Sequence, residues 1–268
     1  EVIVVDDGSP DHTAEVAAAY AGVRYIRQEN AGLPAARNTG IRMSRGSFLV
    51  FLDADDRLLP HHFETALAEF RNRPELAMVT GDYRWFGAPD TWHVHNCEAT
   101  PDHYAAMLRT GFIGPPHNVM IRRDVVLAVG GFREDLRSIE DLDFWLRVAR
   151  LYPMHCHCVV VAEYRRHENQ MSRKWDVMLQ QTMGVMAAQW PYVRGNRAYE
   201  AAYREGVRRH QRNCGDPLLW EMVAEARTGN WRRAMHDLRV LFDCYPNGLG
   251  QLFKWKLKKA VGLTDKWA

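Results

Sequence analysis

Two clusters of carboxylates stand directly after two apolar runs, and they are the first place to look for chemistry. Asp6-Asp7 follow Val2-Ile3-Val4-Val5, and Asp53-Ala54-Asp55-Asp56 follow Phe48-Leu49-Val50-Phe51-Leu52. Like charges gathered at a low-dielectric edge repel one another, so such a set needs a counter-charge. A hard divalent cation is the natural one, because Mg²⁺ takes oxygen ligands, commonly one or two carboxylates together with substrate phosphates. The spacing of Asp53 and Asp55 puts both carboxylates on the same side of an extended segment. A plainer reading competes. Asp-Asp-Gly-Ser is a good turn former, and an Asp after a strand is usually a cap or a solvated turn. For either cluster alone the two readings weigh evenly. Two clusters after two such strands favour a metal–nucleotide site.

The elements that must position these groups follow from the same pattern. Continuous apolar runs read as strands buried on both faces, as in parallel sheets. Helical signals lie between them. Ser9-Pro10 reads as an N-cap and a first-turn proline, opening a helix to about Tyr20. Leu33-Pro34 opens a second helix ending near Ser44, and Pro60 a third ending near Phe70. Residues 23–27 and 76–80 read as further strands. Strand and helix therefore alternate, which predicts an α/β fold with a mostly parallel sheet flanked by helices. In an open sheet of this kind ligands bind beyond the carboxyl ends of the strands, where both acidic clusters fall.

The rest of the chain is less regular. Residues 81–118 read as loop with a short helix near 105–110. A helix is expected from Ser138 to just before Pro153, and a strand over 156–162. After about Asn169 the chain reads as helical throughout. Leu218, Leu219, Met222, Val223 and Ala226 share one helix face. Trp231, Ala234, Met235, Leu238, Leu241 and Phe242 share a face of the next, with Gly229-Asn230 between. This is an αα-hairpin near 217–245. The organisation expected is an α/β core over 1–175 and a helical region over 176–268.

Composition narrows the function classes. The 268 residues carry 35 Lys+Arg against 33 Asp+Glu, a net charge of +2, and 47% are hydrophobic. A disordered chain would be poorer in apolar residues and more strongly charged. A generic nucleic-acid binder would show a large basic excess, so nucleic acid is not an expected partner. The five cysteines are an odd number in a chain of this size, which is no disulfide framework and fits a reducing compartment. No apolar run approaches the ~18–20 residues that a membrane helix needs.

With these residues in view, the sequence resembles family-2 glycosyltransferases of the GT-A fold. Glu1-Val2-Ile3-Val4-Val5-Asp6-Asp7-Gly8-Ser9-Pro10-Asp11-His12-Thr13 is similar to that family's second-strand signature. Asn30-Ala31-Gly32-Leu33-Pro34-Ala35-Ala36-Arg37-Asn38-Thr39-Gly40 is similar to the next. Gly46-Ser47 through Leu52-Asp53-Ala54-Asp55-Asp56 matches its D-x-D segment. Gly130-Gly131-Phe132, then Glu140-Asp141-Leu142-Asp143-Phe144-Trp145-Leu146-Arg147, matches its catalytic-base segment. Each motif alone is weak, and four in family order over about residues 1–175 are strong.

The resemblance implies roles. Asp7 would contact the nucleotide base with Asp6 beside it, and Arg37 and Asn38 would lie near the donor. Asp55, supported by Asp53, would ligate a Mn²⁺ or Mg²⁺ ion that bridges the diphosphate of a sugar nucleotide, a UDP-sugar being favoured. Asp141 would be the general base that activates a hydroxyl of a glycan or lipid-linked acceptor, and the reaction would invert the anomeric centre. Asp141 carries a competing reading as part of a capping box opened by Ser138, and Glu140 is the neighbouring alternative as base. Arg37 has a competing reading as a surface residue. Tyr164-Arg165-Arg166-His167 through Arg173 is similar to the family segment that closes over the diphosphate. His167 is a candidate further metal ligand there and Arg165, Arg166 or Arg173 candidate phosphate binders, against the plain reading of a basic loop. The activity implied is glycosyl transfer in cell-surface polysaccharide or glycoconjugate synthesis. The alternatives are a nucleotidyltransferase, whose Gly-rich loop is not seen here, and a non-catalytic glycan-binding or scaffold domain.

Other candidates carry less. Cys156-His157-Cys158 lacks a second ligand pair for zinc and reads as buried free thiols. Trp85 and Trp92 are core packing by default, and His93, His95 and His103 are loop residues. The segment Leu252-Phe253-Lys254-Trp255-Lys256-Leu257-Lys258-Lys259-Ala260-Val261 is basic and amphipathic. It reads either as a helix packed on the protein or as a peripheral contact at the inner face of a membrane. The expected location is cytoplasmic. Lastly, Glu1 lies already inside what reads as a buried strand, where the resembling family has an earlier strand and helix, so the chain reads as a fragment.

Overall fold

The computed structural model describes residues 1–87, 93–94, 100–166 and 174–250. The chain divides into two compact units, Glu1–Gln170 and Met171–Ala268.

The first unit opens with β1 (Val2–Asp6), α1 (Thr13–Ala18), β2 (Val23–Arg27) and α2 (Leu33–Met43). β1 and β2 form a two-stranded parallel sheet, with Val2 opposite Val23 and Asp6 opposite Arg27. The six-stranded sheet contains β3 (Phe48–Leu49), β4 (Arg57–Leu58), β5 (Met78–Phe86), β6 (His93–Val94), β7 (Val119–Arg122) and β8 (Met154–Arg165). Its order is β3-β7-β5-β8-β4, with β6 on β5. The helices α3 (His62–Asn72), α4 (His103–Thr110), α5 (Arg123–Ala128) and α6 (Glu140–Leu151) connect the strands.

The α/β class and its flanking helices agree with the sequence. Among the described pairings, β1–β2 and β5–β8 are parallel and the other four are antiparallel, so the sheet is mixed. The two apolar runs are less enclosed than continuous patterning suggests. Val2 is 59% exposed and Leu52 49%, and the second run is a strand only over Phe48–Leu49. The reason is in the pairing: among the described residues β1 is joined only to β2 and β3 only to β7. β5 also runs past its expected end to Phe86, through a bulge around Gly81. A Cβ on Gly81 would come within 2.4 Å of the His157 ring, so only glycine fits there.

The core centres on α6, whose Phe144, Trp145 and Leu146 are fully buried. Phe132 stacks on Phe144 with ring centroids 4.4 Å apart. A second layer joins Ala66 and Phe70 of α3 to Leu76, Val79 and Met120. This packing fixes α6, and hence Glu140-Asp141 at its first turn.

The second unit contains α7 (Trp175–Val193), α8 (Arg197–Arg227) and α9 (Trp231–Cys244). Leu179, Leu218, Leu219, Val223, Val240, Leu241 and Tyr245 form its core. The α8–α9 pair is the expected hairpin, although α8 already begins at Arg197, where Asn196 caps it by accepting from the Ala198 and Tyr199 amides. The buried face of α9 is rotated from the expected one. Ala234, Asp237, Val240 and Leu241 are buried, whereas Trp231, Met235 and Phe242 are 64%, 60% and 70% exposed. An apolar stripe in sequence marks a helix face, but only the packing partner decides which edge of it is covered. Among the described residues no helix is long and apolar enough to cross a membrane. His167, Arg173, Trp92, His95 and the segment 252–261 lie outside the described residues.

Candidate active site

The site is assembled around Arg37. Gly32 in left-handed conformation (φ 92) and Pro34 start α2, which carries Arg37 inward to 8% exposure. One terminal nitrogen lies 2.8 Å from Asp53 Oδ1 and the other 2.7 Å from Glu140 Oε1. A single guanidinium thus joins the second acidic cluster to the start of α6, with Arg37 and Glu140 103 residues apart in sequence. The surface reading of Arg37 is not what the structure has.

The electrostatics follow from this geometry. Burial pushes Glu140 up to about 7, helped by the Asp141 charge and opposed by Arg37. Burial likewise raises Asp141, again opposed by Arg37. The two carboxylates are not equally available. Glu140 is 4% exposed and tied to Arg37, whereas Asp141 remains partly open to solvent. Asp141 Oδ1 accepts from the Leu142 amide at 2.7 Å. Because Glu140 binds its proton more tightly when folded, the folded state holds the extra proton between about 4.5 and about 7. Stability must therefore fall as pH rises through that window. Denaturant midpoints measured across it should decline in the native protein and decline less in Glu140→Gln.

The start of α6 differs from the expected capping box. The N-cap position falls on Ile139, with φ 67, and the helix begins at Glu140. A β-branched residue in the left-handed region is strained by about 1–3 kcal/mol, and such strain gathers at functional sites. Ile139→Gly should leave thermal stability unchanged or raise it, checked by calorimetry. A marked loss would mean that the Ile139 side chain matters more than its backbone.

The neighbouring polar residues brace the frame. Asn38 clamps Phe132 at two points, accepting from its amide at 2.9 Å and donating to its carbonyl at 2.8 Å. Arg147 ties α6 to the Gly130-Gly131 turn through the Val129 and Gly131 carbonyls. Asp143 is buried and paired with Arg147 at 2.8 Å. A Cβ on Gly131 (φ 67) would meet Asn38 Oδ1 at 2.6 Å, which explains the glycine.

At the end of β1 the two aspartates act on loops. Asp6 accepts from the Ser9 amide at 2.7 Å and from the Tyr25 hydroxyl, which holds its carboxyl down to about 2. Asp7 accepts from Gln28 at 2.7 Å and from the Ala31 and Gly32 amides at 2.9 and 2.8 Å. Asp7 thereby sets the loop that opens α2, while Asp6 ties the loop after β1 to β2. In the second cluster Asp53 and Asp55 are half-buried while Asp56 is buried, so the turn points its acids in different directions. Asp53 and Asp55 fit a hard cation: they are oxygen donors two residues apart, still open to solvent, with Arg37 on one Asp53 oxygen.

The remaining candidates separate. Arg166 lies over the Trp85 ring at 4.2 Å, so that face is covered. Arg165 lies over Phe86 at 4.7 Å, and its side chain donates to the Asp55 carbonyl at 2.9 Å. Cys156 and Cys158 are free thiols, partly buried and exposed respectively. In the second unit Asp176, His236 and Asp237 could geometrically hold a cation. Arg233 already stands 3.2 Å from both Asp176 and Asp237, so the group is an ion-pair cluster with its own counter-charge. Sequence reasoning did not find the Asn38 clamp or the pairing of Glu140 with Arg37. Nothing in spacing announces a partner 103 residues away.

Comparison with known proteins places the fold and its family. Residues 1–130 match the family model described as Glycosyl transferase family 2. The chain is 27% identical to chondroitin synthase of Escherichia coli over 243 residues, covering 89% of this chain and 33% of that protein. A crystal structure of S. aureus TarS in complex with UDP-GlcNAc superposes with a TM-score of 0.56 at 14% identity, covering 92% of this chain and 83% of the other. Mannosyltransferase PcManGT from Pyrobaculum calidifontis, in complex with GDP-Man and Mn²⁺, gives 0.58 at 16%, covering 90% and 75%. Residues 1–130 form a family-2 glycosyltransferase region, and the α/β fold of the chain is GT-A-like. It spans about half the length or less of the curated relatives it matches.

Proposed function

We propose that this chain transfers a sugar from a nucleotide-diphosphate sugar, a UDP-sugar by preference, to a hydroxyl of a glycan or lipid-linked acceptor, with inversion. The observation that carries the reading is the convergence of Asp53, Glu140 and Asp141 on the buried Arg37. In this reading Asp141 takes the acceptor proton. The freed oxygen pair forms the bond to the anomeric carbon, and the bond from that carbon to the diphosphate oxygen breaks with its electrons leaving on the nucleoside diphosphate. The raised affinity of Asp141 for a proton suits a base, and its partial exposure leaves it reachable by an acceptor. Glu140, tied to Arg37, is the poorer candidate.

Asp55 and Asp53 would hold the divalent cation, Mn²⁺ or Mg²⁺, and the cation would supply Lewis-acid stabilisation of the departing diphosphate. Asp7 shapes the nucleotide end of the site through the loop before α2, with Asp6 beside it. His167 stays a candidate ligand by resemblance alone. A cytoplasmic location at the inner face of a membrane goes with the odd cysteine count and the basic segment 252–261, in a pathway of surface polysaccharide or glycoconjugate assembly. Calorimetric titration of UDP-sugars with Mn²⁺ tests the donor half. Binding should need the cation in the native protein and should weaken about 10-fold or more in Asp55→Ala. Equal binding with and without Asp55 would remove that residue from the site.

A further inference from the structure

A buried pair beneath the acidic turn takes no part in the reading above. His117 Nδ1 lies 2.8 Å from Asp56 Oδ2, and both side chains are 0% exposed. The contact does not have hydrogen-bond geometry: Asp56 Oδ2 and both His117 ring nitrogens are without a hydrogen-bond partner among the described residues. The other oxygen of Asp56 accepts from the Arg165 amide at 2.8 Å. Arg165 Nε in turn donates to the Asp55 carbonyl at 2.9 Å, and the Asp56 amide donates to the Asp53 carbonyl at 3.1 Å. Asp56 is thus one or two bonds away from the backbone of both half-exposed acids.

His117 is itself held firmly. It belongs to the 3-10 turn Pro116–Asn118, whose Asn118 donates to the Gly81 carbonyl at 2.7 Å. Its ring stacks on Tyr164 with centroids 6.0 Å apart and planes 20° apart, and meets Tyr83 edge-on at 6.4 Å. A buried carboxylate oxygen without a hydrogen-bond partner is costly, so the His117 nitrogen 2.8 Å from Asp56 Oδ2 bears directly on where the turn rests.

We propose that His117 is a positioning residue of this site: it holds Asp56, and through Asp56 and Arg165 it fixes the backbone that presents Asp53 and Asp55 to the cation and diphosphate. The functional consequence rests on the proposed glycosyltransferase reading, while the positioning does not. Outer partners of this kind typically change ligand affinity about 10- to 100-fold when removed.

Two variants of the whole chain separate the polar contact to Asp56 from packing. His117→Phe keeps a ring against Tyr164 and removes the nitrogen that faces Asp56. His117→Asn removes the ring and places an amide N–H where Nδ1 stands. Two readouts are taken: amide hydrogen exchange at Asp56 and Arg165, and Mn²⁺ binding in the presence of UDP by electron paramagnetic resonance. His117→Phe should speed exchange at both amides, weaken Mn²⁺ binding about 10- to 100-fold, and raise donor KM more than it lowers kcat. His117→Asn should restore all three. Unchanged exchange in His117→Phe, or an Asn variant as impaired as the Phe variant, overturns the proposal. Should His117→Phe fail to fold, the Asn variant decides: Mn²⁺ affinity close to native supports the role, and a tenfold loss (about the lower bound above) refutes it. If the native protein binds no Mn²⁺ with UDP, the glycosyltransferase reading fails by itself, and the exchange measurement still decides the positioning.

Discussion

Arg37→Met should destabilise the protein by about 3–5 kcal/mol near neutral pH, the range seen when one partner of a buried ion pair is removed. The Arg37 side chain is 7% exposed and Glu140 6%, so water cannot replace the guanidinium. Its loss would leave Asp53, Glu140 and Asp141 facing one another without a cation. The carboxylates can escape only by taking up protons, and Glu140 and Asp141 are already shifted that way. The deficit should therefore shrink at about pH 5, below the value of about 7 to which Glu140 is raised in the folded state. Urea denaturation at the two pH values reads both effects. Combining Arg37→Met with Glu140→Gln should recover part of the loss, since the double variant leaves one fewer buried charge unpaired. A loss below about 1 kcal/mol would mean that the pair is a surface ion pair and not the hinge of the site.

Asp141→Asn should lower acceptor-dependent turnover by about 10²- to 10⁴-fold, the usual contribution of a positioned general base. Donor binding should stay close to native, because the nucleotide end of the site is held by other residues. Stability should not fall, and above neutral pH it should rise. The fold disfavours the charged form of Asp141, so the neutral amide relieves a repulsion. Loss of activity with retained or increased stability separates a functional carboxylate from a helix cap, whose removal typically costs about 1 kcal/mol. Glu140→Gln is the control. It should flatten the pH dependence of stability and leave the base in place.

The sequence carried much of the fold because its signals were local. Apolar runs and prolines mark β1, β2, α2 and α3 within a few residues, and the Gly229-Asn230 break marks the turn between α8 and α9. It also brought Asp53, Asp141 and Arg37 forward as candidates, through motifs of contiguous residues. It was less informative where a property depends on what packs alongside. The edges of β1 and β3, the covered face of α9 and the inward turn of Arg37 depend on partners distant in the chain. The capping-box pattern at Ser138 shows the converse. The N-cap falls one residue after Ser138, on Ile139 at φ 67, and Phe144, Trp145 and Leu146 of the same helix are fully buried. His117 carries no motif at all, and only the burial of Asp56 reveals it.

The central claim is that this carboxylate cluster performs glycosyl transfer. The most direct test is release of nucleoside diphosphate from a panel of sugar nucleotides, with Mn²⁺ or Mg²⁺ and candidate acceptors present, in the native protein and in Asp141→Asn. The expected result is metal-dependent release from one donor, stimulated by acceptor and nearly abolished by the substitution. Release that Asp141→Asn leaves unchanged under acceptor-dependent conditions, or no release from any donor, would contradict it.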